Sequence, residues 1–114
     1  MKMYMNPSAN FEKEVYLSSV VQAFAIEIAI RAQRSAKPKS YGTLYWQFND
    51  AWPAISWSSI DYYGRWKALQ YMAKRSYPDI AIFLQNNLTA LAINDKLEEV
   101  EASIQVRVLG FDGS

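Results

Sequence analysis

A chain of 114 residues, half of them apolar and with a net charge of +1, is enough for one ordinary domain with a packed core. It contains neither cysteine nor histidine, which excludes disulfides, thiolate sites, histidine-based triads and the commonest zinc ligand sets. The balanced charge gives no footing for nucleic acid or an anionic membrane surface, so a neutral ligand fits better, and nothing implies a cofactor or a metal.

In chain order, Met1 to Met5 is too short an apolar region for a signal peptide. Ser8 or Asn10 can cap a helix whose first turn carries Glu12 and Glu14, opposing the positive end of its dipole. That helix runs to about Gln33. Phe11, Val15, Leu17, Val21, Phe24, Ala25, Ile28 and Ala32 follow helical spacing, while Val20, Ala23, Ile26 and Ile30 spread apolar character beyond one stripe. Glu27 and Arg31, with Ser18, Ser19 and Gln22, speak against a membrane span. Pro38 breaks the helix, and Thr43 to Phe48 reads as a short buried strand. Asn49 to Tyr62 reads as a long loop. Asp61 then caps a helix over 63–75, with Trp66, Leu69, Met72 and Ala73 on the packed face and Lys67, Lys74 and Arg75 solvated. Helix, strand and helix give the connectivity around one strand of a parallel sheet.

From Tyr77-Pro78 the period becomes two. Ile80, Ile82 and Leu84 mark a strand, Asn86-Asn87 a turn, and Leu88 to Ile93 the return. Val100, Ala102, Ile104, Val106 and Val108 alternate with polar residues as a strand with one wet face, and Asp112-Gly113 signals a hairpin turn. A strand without its partner reads as a sequence that has been cut. Its unpaired edge, with the wide apolar girth of the first helix, predicts self-association.

The chemistry concentrates between Gly42 and Arg75, which hold all four tryptophans. Sugars show apolar C–H faces beside hydroxyls, so they need flat aromatic area and fixed polar groups. Trp46, Trp52 and Trp57 supply the first, and Gln47, Asn49, Asp50 and Asp61 the second. Covering ~70 Å² of a pyranose face contributes about 1.5 to 2 kcal/mol per platform. That orients a sugar without catalysing anything. Trp66 reads as core. Trp46 alone, on a central strand, would also read as core, and Asp50 as either turn-former or sugar ligand. Glu12, Glu14, Glu98, Glu99 and Glu101 read as solvated charges, and Asn87-Leu-Thr89 as a surface turn that matches a glycosylation acceptor.

Leu44-Tyr-Trp-Gln-Phe-Asn-Asp-Ala-Trp-Pro53 and Ser56-Trp-Ser-Ser-Ile-Asp-Tyr62 closely resemble the last strand and loop of the catalytic barrel in retaining β-mannosidases and their relatives in glycoside hydrolase family two. The resemblance spans about 15–77, with Ala51 where relatives often have cysteine. It implies an α+β fragment: residues 1–77 as the last α-β-α part of a (β/α)8 barrel, and 78–114 as the first strands of an immunoglobulin-like sandwich. A complete barrel takes roughly 250 residues. The resemblance also implies that Trp46 lines the subsite for the nonreducing sugar, and that Asn49, Asp50 and Trp52 shape the adjacent loop; Trp57 reads as either a sugar platform or core. The family's two catalytic glutamates lie upstream, so no catalytic residue is assigned and the fragment alone is expected to be inactive. A secreted or periplasmic parent is expected. The competing reading is a noncatalytic carbohydrate-binding module, and a third is a structural piece whose aromatics are all buried.

Overall fold

The computed structural model describes residues 10–85 and 89–114. Over these the chain is α+β: helix α1 (Phe11–Arg34), helix α2 (Ala68–Ser76), and an antiparallel pair of strands, β1 (Ile80–Leu84) and β2 (Ala90–Asn94). Ser8, the Asn86-Asn87 turn and most of the Asn87-Leu-Thr89 motif lie outside the described residues.

Helix α1 starts where the sequence places it. The Asn10 side chain accepts from the amides of Glu12 at 2.8 Å and Lys13 at 3.3 Å, filling two of the orphan donors of the first turn. Its packed face differs from the expected stripe. Ala23, Ile30 and Arg34 are the buried positions, while Phe11, Val15, Phe24 and Ile28 are exposed. Helices α1 and α2 pack together, and their buried apolar residues are Ala23 and Ile30 on the first and Leu69 and Ala73 on the second, Ile30 and Leu69 each contributing roughly 1.5 to 3 kcal/mol. By length and composition α1 could also cross a membrane.

The second helix starts later than expected. The Asp61 carboxylate is engaged in the turn ahead of it, accepting from the amides of Tyr63 and Arg65, both at 2.9 Å, and pairing with Arg65 Nε at 2.8 Å. Gly64 in that turn has φ +79°, a conformation that suits a residue without a Cβ. Lys67 takes the cap position without a side-chain cap bond. Trp66 therefore precedes the helix, and with 43% of its surface exposed it is not core. It packs edge-on against Tyr71.

Thr43 to Phe48 forms no regular strand. Just beyond it, isolated bridges tie Asn49 to Ile60 and Ile60 to Trp66. A buried strand needs a ladder on each side to satisfy its backbone, and among the described residues no such ladders flank this one. The Lys37–Pro38 and Trp46–Gln47 peptide bonds are cis.

Strands β1 and β2 pair as read, with Ile80 opposite Asn94 and Leu84 opposite Ala90. The buried face is the opposite of the one marked by Ile80, Ile82 and Leu84. Ala81, Phe83 and Ile93 are buried with Leu91 against them, because both faces of β1 are apolar and period two alone cannot choose between them. Phe83 is the ring that meets α1, with the guanidinium groups of Arg31 and Arg34 5.7 and 5.6 Å from its centroid.

Arg34 joins the pieces. Buried at the end of α1, it donates to the carbonyls of Ser76 at 2.5 Å and Pro78 at 2.7 Å, and to Asp95 at 2.7 Å. Lys37 bonds the other oxygen of Asp95. Those two bonds, that of Lys37 first, hold the Asp95 carboxyl below its ordinary value against the opposing effect of burial.

The expected strand over 100–108 is not formed. These residues are exposed and carry no ladder among the described residues, since alternation is a pattern that only a partner strand can turn into structure. The Asp112-Gly113 turn is present, with Gly113 at φ +86° and its amide donating to the Gly110 carbonyl at 3.0 Å.

Candidate functional site

The loop between Asn49 and Trp66 is pinned at its base by backbone bonds. Ile60 N donates to Phe48 O at 2.9 Å, Asp50 N to Ile60 O at 3.2 Å, and Lys67 N to Ser59 O at 2.9 Å. Beneath it the fully buried Ser59 gathers a polar knot: its hydroxyl lies 2.8 Å from the Phe48 carbonyl, 2.7 Å from Gln70 Oε1 and 3.0 Å from the Tyr45 hydroxyl. With its base satisfied internally, the loop can hold apolar rings outward in water.

Trp46, Trp52 and Trp57 are exposed over 73, 69 and 59% of their surface. Trp57 is the most tethered. Its indole Nε1 donates to Gln47 Oε1 at 3.3 Å, and its carbonyl accepts from Gln22 Nε2 of α1 at 2.9 Å. Gln47 also donates to the Asn49 carbonyl at 2.8 Å. Asn49 is exposed at the loop's entrance, where its backbone bridges to Ile60. Tyr62 and Tyr63 stack edge-on at the other end.

Asp50 lies elsewhere: it is 8% exposed and faces inward. One carboxylate oxygen accepts from Ser56 Oγ at 2.5 Å, and the other from Ser58 Oγ at 2.6 Å and Lys67 Nζ at 3.5 Å. The serine bonds, Ser56 first and then Ser58, lower its pKa; burial opposes them and the Lys67 charge adds to them. Asp61 is also lowered: burial raises it, but the Arg65 amide and guanidinium and the Tyr63 amide outweigh that. Ser56, Ser58 and Lys67 escaped the sequence reading. Lys67 reads as a solvated helix residue, and no local spacing announces that an ammonium 17 positions away will face Asp50.

The surroundings hold two open grooves. One, of approximately 540 Å³, runs between the helices along Val20, Phe24, Tyr71 and Met72, away from the tryptophan loop. The other, of approximately 430 Å³, lies between α1 and the loop, lined by Ser18, Gln22, Ile55, Ser56 and Lys67 among others. Among the described residues no group of acidic side chains could hold a metal ion.

No family model matches the chain. Its relatives do. Beta-mannosidase from Mus musculus is 39% identical over 79 residues, taking in 63% of this chain and 9% of that protein. Beta-mannosidase A from Aspergillus terreus is 36% identical over 116 residues, 95% of this chain and 12% of that one. The solved structure of a beta-D-mannosidase from Dictyoglomus thermophilum superimposes with a TM-score of 0.77 at 36% identity, covering 83% of this chain and 12% of that one. The chain resembles a segment of the β-mannosidases. It spans about a tenth of the length of the curated relatives it matches. For this β-mannosidase-like segment the likeness agrees with the motifs at 44–62, and extends in the Aspergillus comparison to nearly the whole chain.

Proposed function

We propose that the chain is the sugar-contacting portion at the end of the catalytic barrel of a glycoside hydrolase acting on terminal β-linked mannose by a retaining mechanism. Residues 1–77 belong to the barrel, and 78–114 begin the sandwich that follows. The observation that carries this reading is the triplet of exposed indoles on an internally satisfied loop, in a chain similar to β-mannosidases. Trp46 serves as the nonreducing-end platform, with Trp52 and Trp57 along the loop and Asn49 as the exposed polar neighbour. Retaining hydrolysis needs two carboxyl groups about 5 to 5.5 Å apart beside the sugar. Among the described residues, the buried and bonded carboxylate of Asp50 is no candidate for either role, so the acid/base and nucleophile come from other parts of the enzyme.

The experiment is a chimera. This chain replaces the corresponding segment of the Dictyoglomus β-D-mannosidase, and the product is assayed on an aryl β-mannoside. The chimera is expected to hydrolyse it and the isolated chain is not. Trp46→Ala in the chimera lowers kcat/KM by about 30- to 150-fold, the equivalent of ~2 to 3 kcal/mol of transition-state binding. Turnover by the isolated chain would refute the segment reading. The exposed indoles also favour a second reading, noncatalytic saccharide binding, and a folded chimera that binds mannosides but never hydrolyses them would establish it.

A further inference from the structure

Asp50 sits two residues from Trp52 in a motif that suggests a sugar ligand, yet its geometry is that of a clamp. Each carboxylate oxygen already accepts a short hydroxyl bond, from Ser56 and from Ser58, the residues on either side of Trp57. The Ser58 amide donates to Ser56 Oγ at 3.1 Å, closing the arc through the backbone. Lys67 Nζ reaches the Ser56 carbonyl at 3.3 Å and Asp50 at 3.5 Å, so the same ammonium that offsets the buried charge also holds the arc from below. Trp57 is thus fixed through both chain neighbours, through its carbonyl by Gln22 and through its ring nitrogen by Gln47. Among the described residues no hydrogen bond or ring contact holds the Trp52 ring in the same way. A rigid aromatic surface meets its ligand without the ordering cost that a swinging side chain incurs.

We propose that Asp50 is a positioning residue: by gripping Ser56 and Ser58 it sets the pose of the Trp57 indole, the pose in which a saccharide is met. The last clause rests on the carbohydrate reading above, and the rest does not. Asp50 is 8% exposed and both of its oxygens are already engaged by neighbours of Trp57 or by Lys67, so the carboxylate is turned into the loop and not toward a ligand. Preorganisation through a second layer of polar contacts is the physically consistent role.

The test labels the chain with 5-fluorotryptophan and records 19F spectra, the four resonances being assigned by single Trp→Phe substitutions. Asp50→Asn is expected to shift and broaden the Trp57 resonance, with those of Trp46 and Trp66 in place and the helical circular dichroism unchanged. Ser58→Ala should move the same resonance by less. An unmoved Trp57 resonance in Asp50→Asn overturns the proposal. If Asp50→Asn loses its helices, Ser56→Ala decides: a shift confined to Trp57 supports positioning, whereas no shift, or all four moving together, overturns it. Mannobiose is then added. A Trp57 response in the unsubstituted chain that Asp50→Asn weakens, after already shifting the sugar-free spectrum, supports the proposal. A weakened response with an unchanged sugar-free spectrum makes Asp50 a direct ligand and overturns it. If mannobiose moves no resonance of the unsubstituted chain, the saccharide clause fails, the chimera still decides the carbohydrate reading, and the sugar-free spectra decide whether Asp50 sets Trp57.

Discussion

The tryptophan loop and the segment over 100–108 make opposite use of the same kind of residue. Both expose large apolar side chains, although from sequence the first reads as a long loop and the second as a regular strand. The loop brings its own partners: Asp50 has Ser56, Ser58 and Lys67, Asp61 has Arg65, and Ser59 has Gln70. The alternating segment is regular in pattern yet carries no ladder among the described residues. Irregular sequence with local polar closure is held, and regular sequence that depends on a neighbour is not. Backbone groups must be paired or hydrated whatever the side-chain pattern promises.

Acid should open this contrast widest. Asp50, Asp61 and Asp95 have folded-state pKa values below the ordinary carboxylate value. The stability they contribute is therefore present above the unfolded value of about 3.9 and is lost as pH falls from there through the folded values. Tryptophan fluorescence should report loss of the loop in that window, while 1H–15N amide spectra of 100–108 change little. Simultaneous change in both regions would mean the segment has structure of its own to lose. Next in size, Arg34→Met strips partners from Ser76, Pro78 and Asp95 and should cost about 3 kcal/mol by thermal unfolding. Ser59→Ala leaves the knot beneath the loop short of a donor and should cost about 1 to 2 kcal/mol. Trp66→Ala removes a half-exposed ring and its contact with Tyr71, about 1 kcal/mol, where a core tryptophan would cost several. Smallest is Ile104→Ser, which should stay within about 0.5 kcal/mol. A larger loss there would show that the alternating residues already bury something.

What the sequence made legible follows the range of the interaction. The Asn10 cap, the course of α1 and the β1–β2 pairing depend on neighbours a few residues away, and all three stand. Choosing between faces was harder. The apolar stripe of α1 and both faces of β1 offer alternatives, and distant contacts select Ala23, Ile30 and Phe83. The site divides in the same way. Strand position alone makes Trp46 core and only the family resemblance turns it to the surface, where it stands with Trp52 and Trp57, while the inward turn of Asp50 depends on Lys67, whose role no local pattern encodes. By position Asp61 suits a helix cap, yet a glycine three residues later and Arg65 four later draw it into a turn instead.

Arg34 bears on how such a chain could be recombined. Its guanidinium reads three separate stretches at once, the end of α2, the proline beyond it and the acid after β2. A foreign segment spliced in after Tyr77 would inherit that arginine already buried and charged. A replacement offering a carboxylate where Asp95 stands would keep the guanidinium paired and one without it would strand a buried charge, so Arg34 screens what can follow α2.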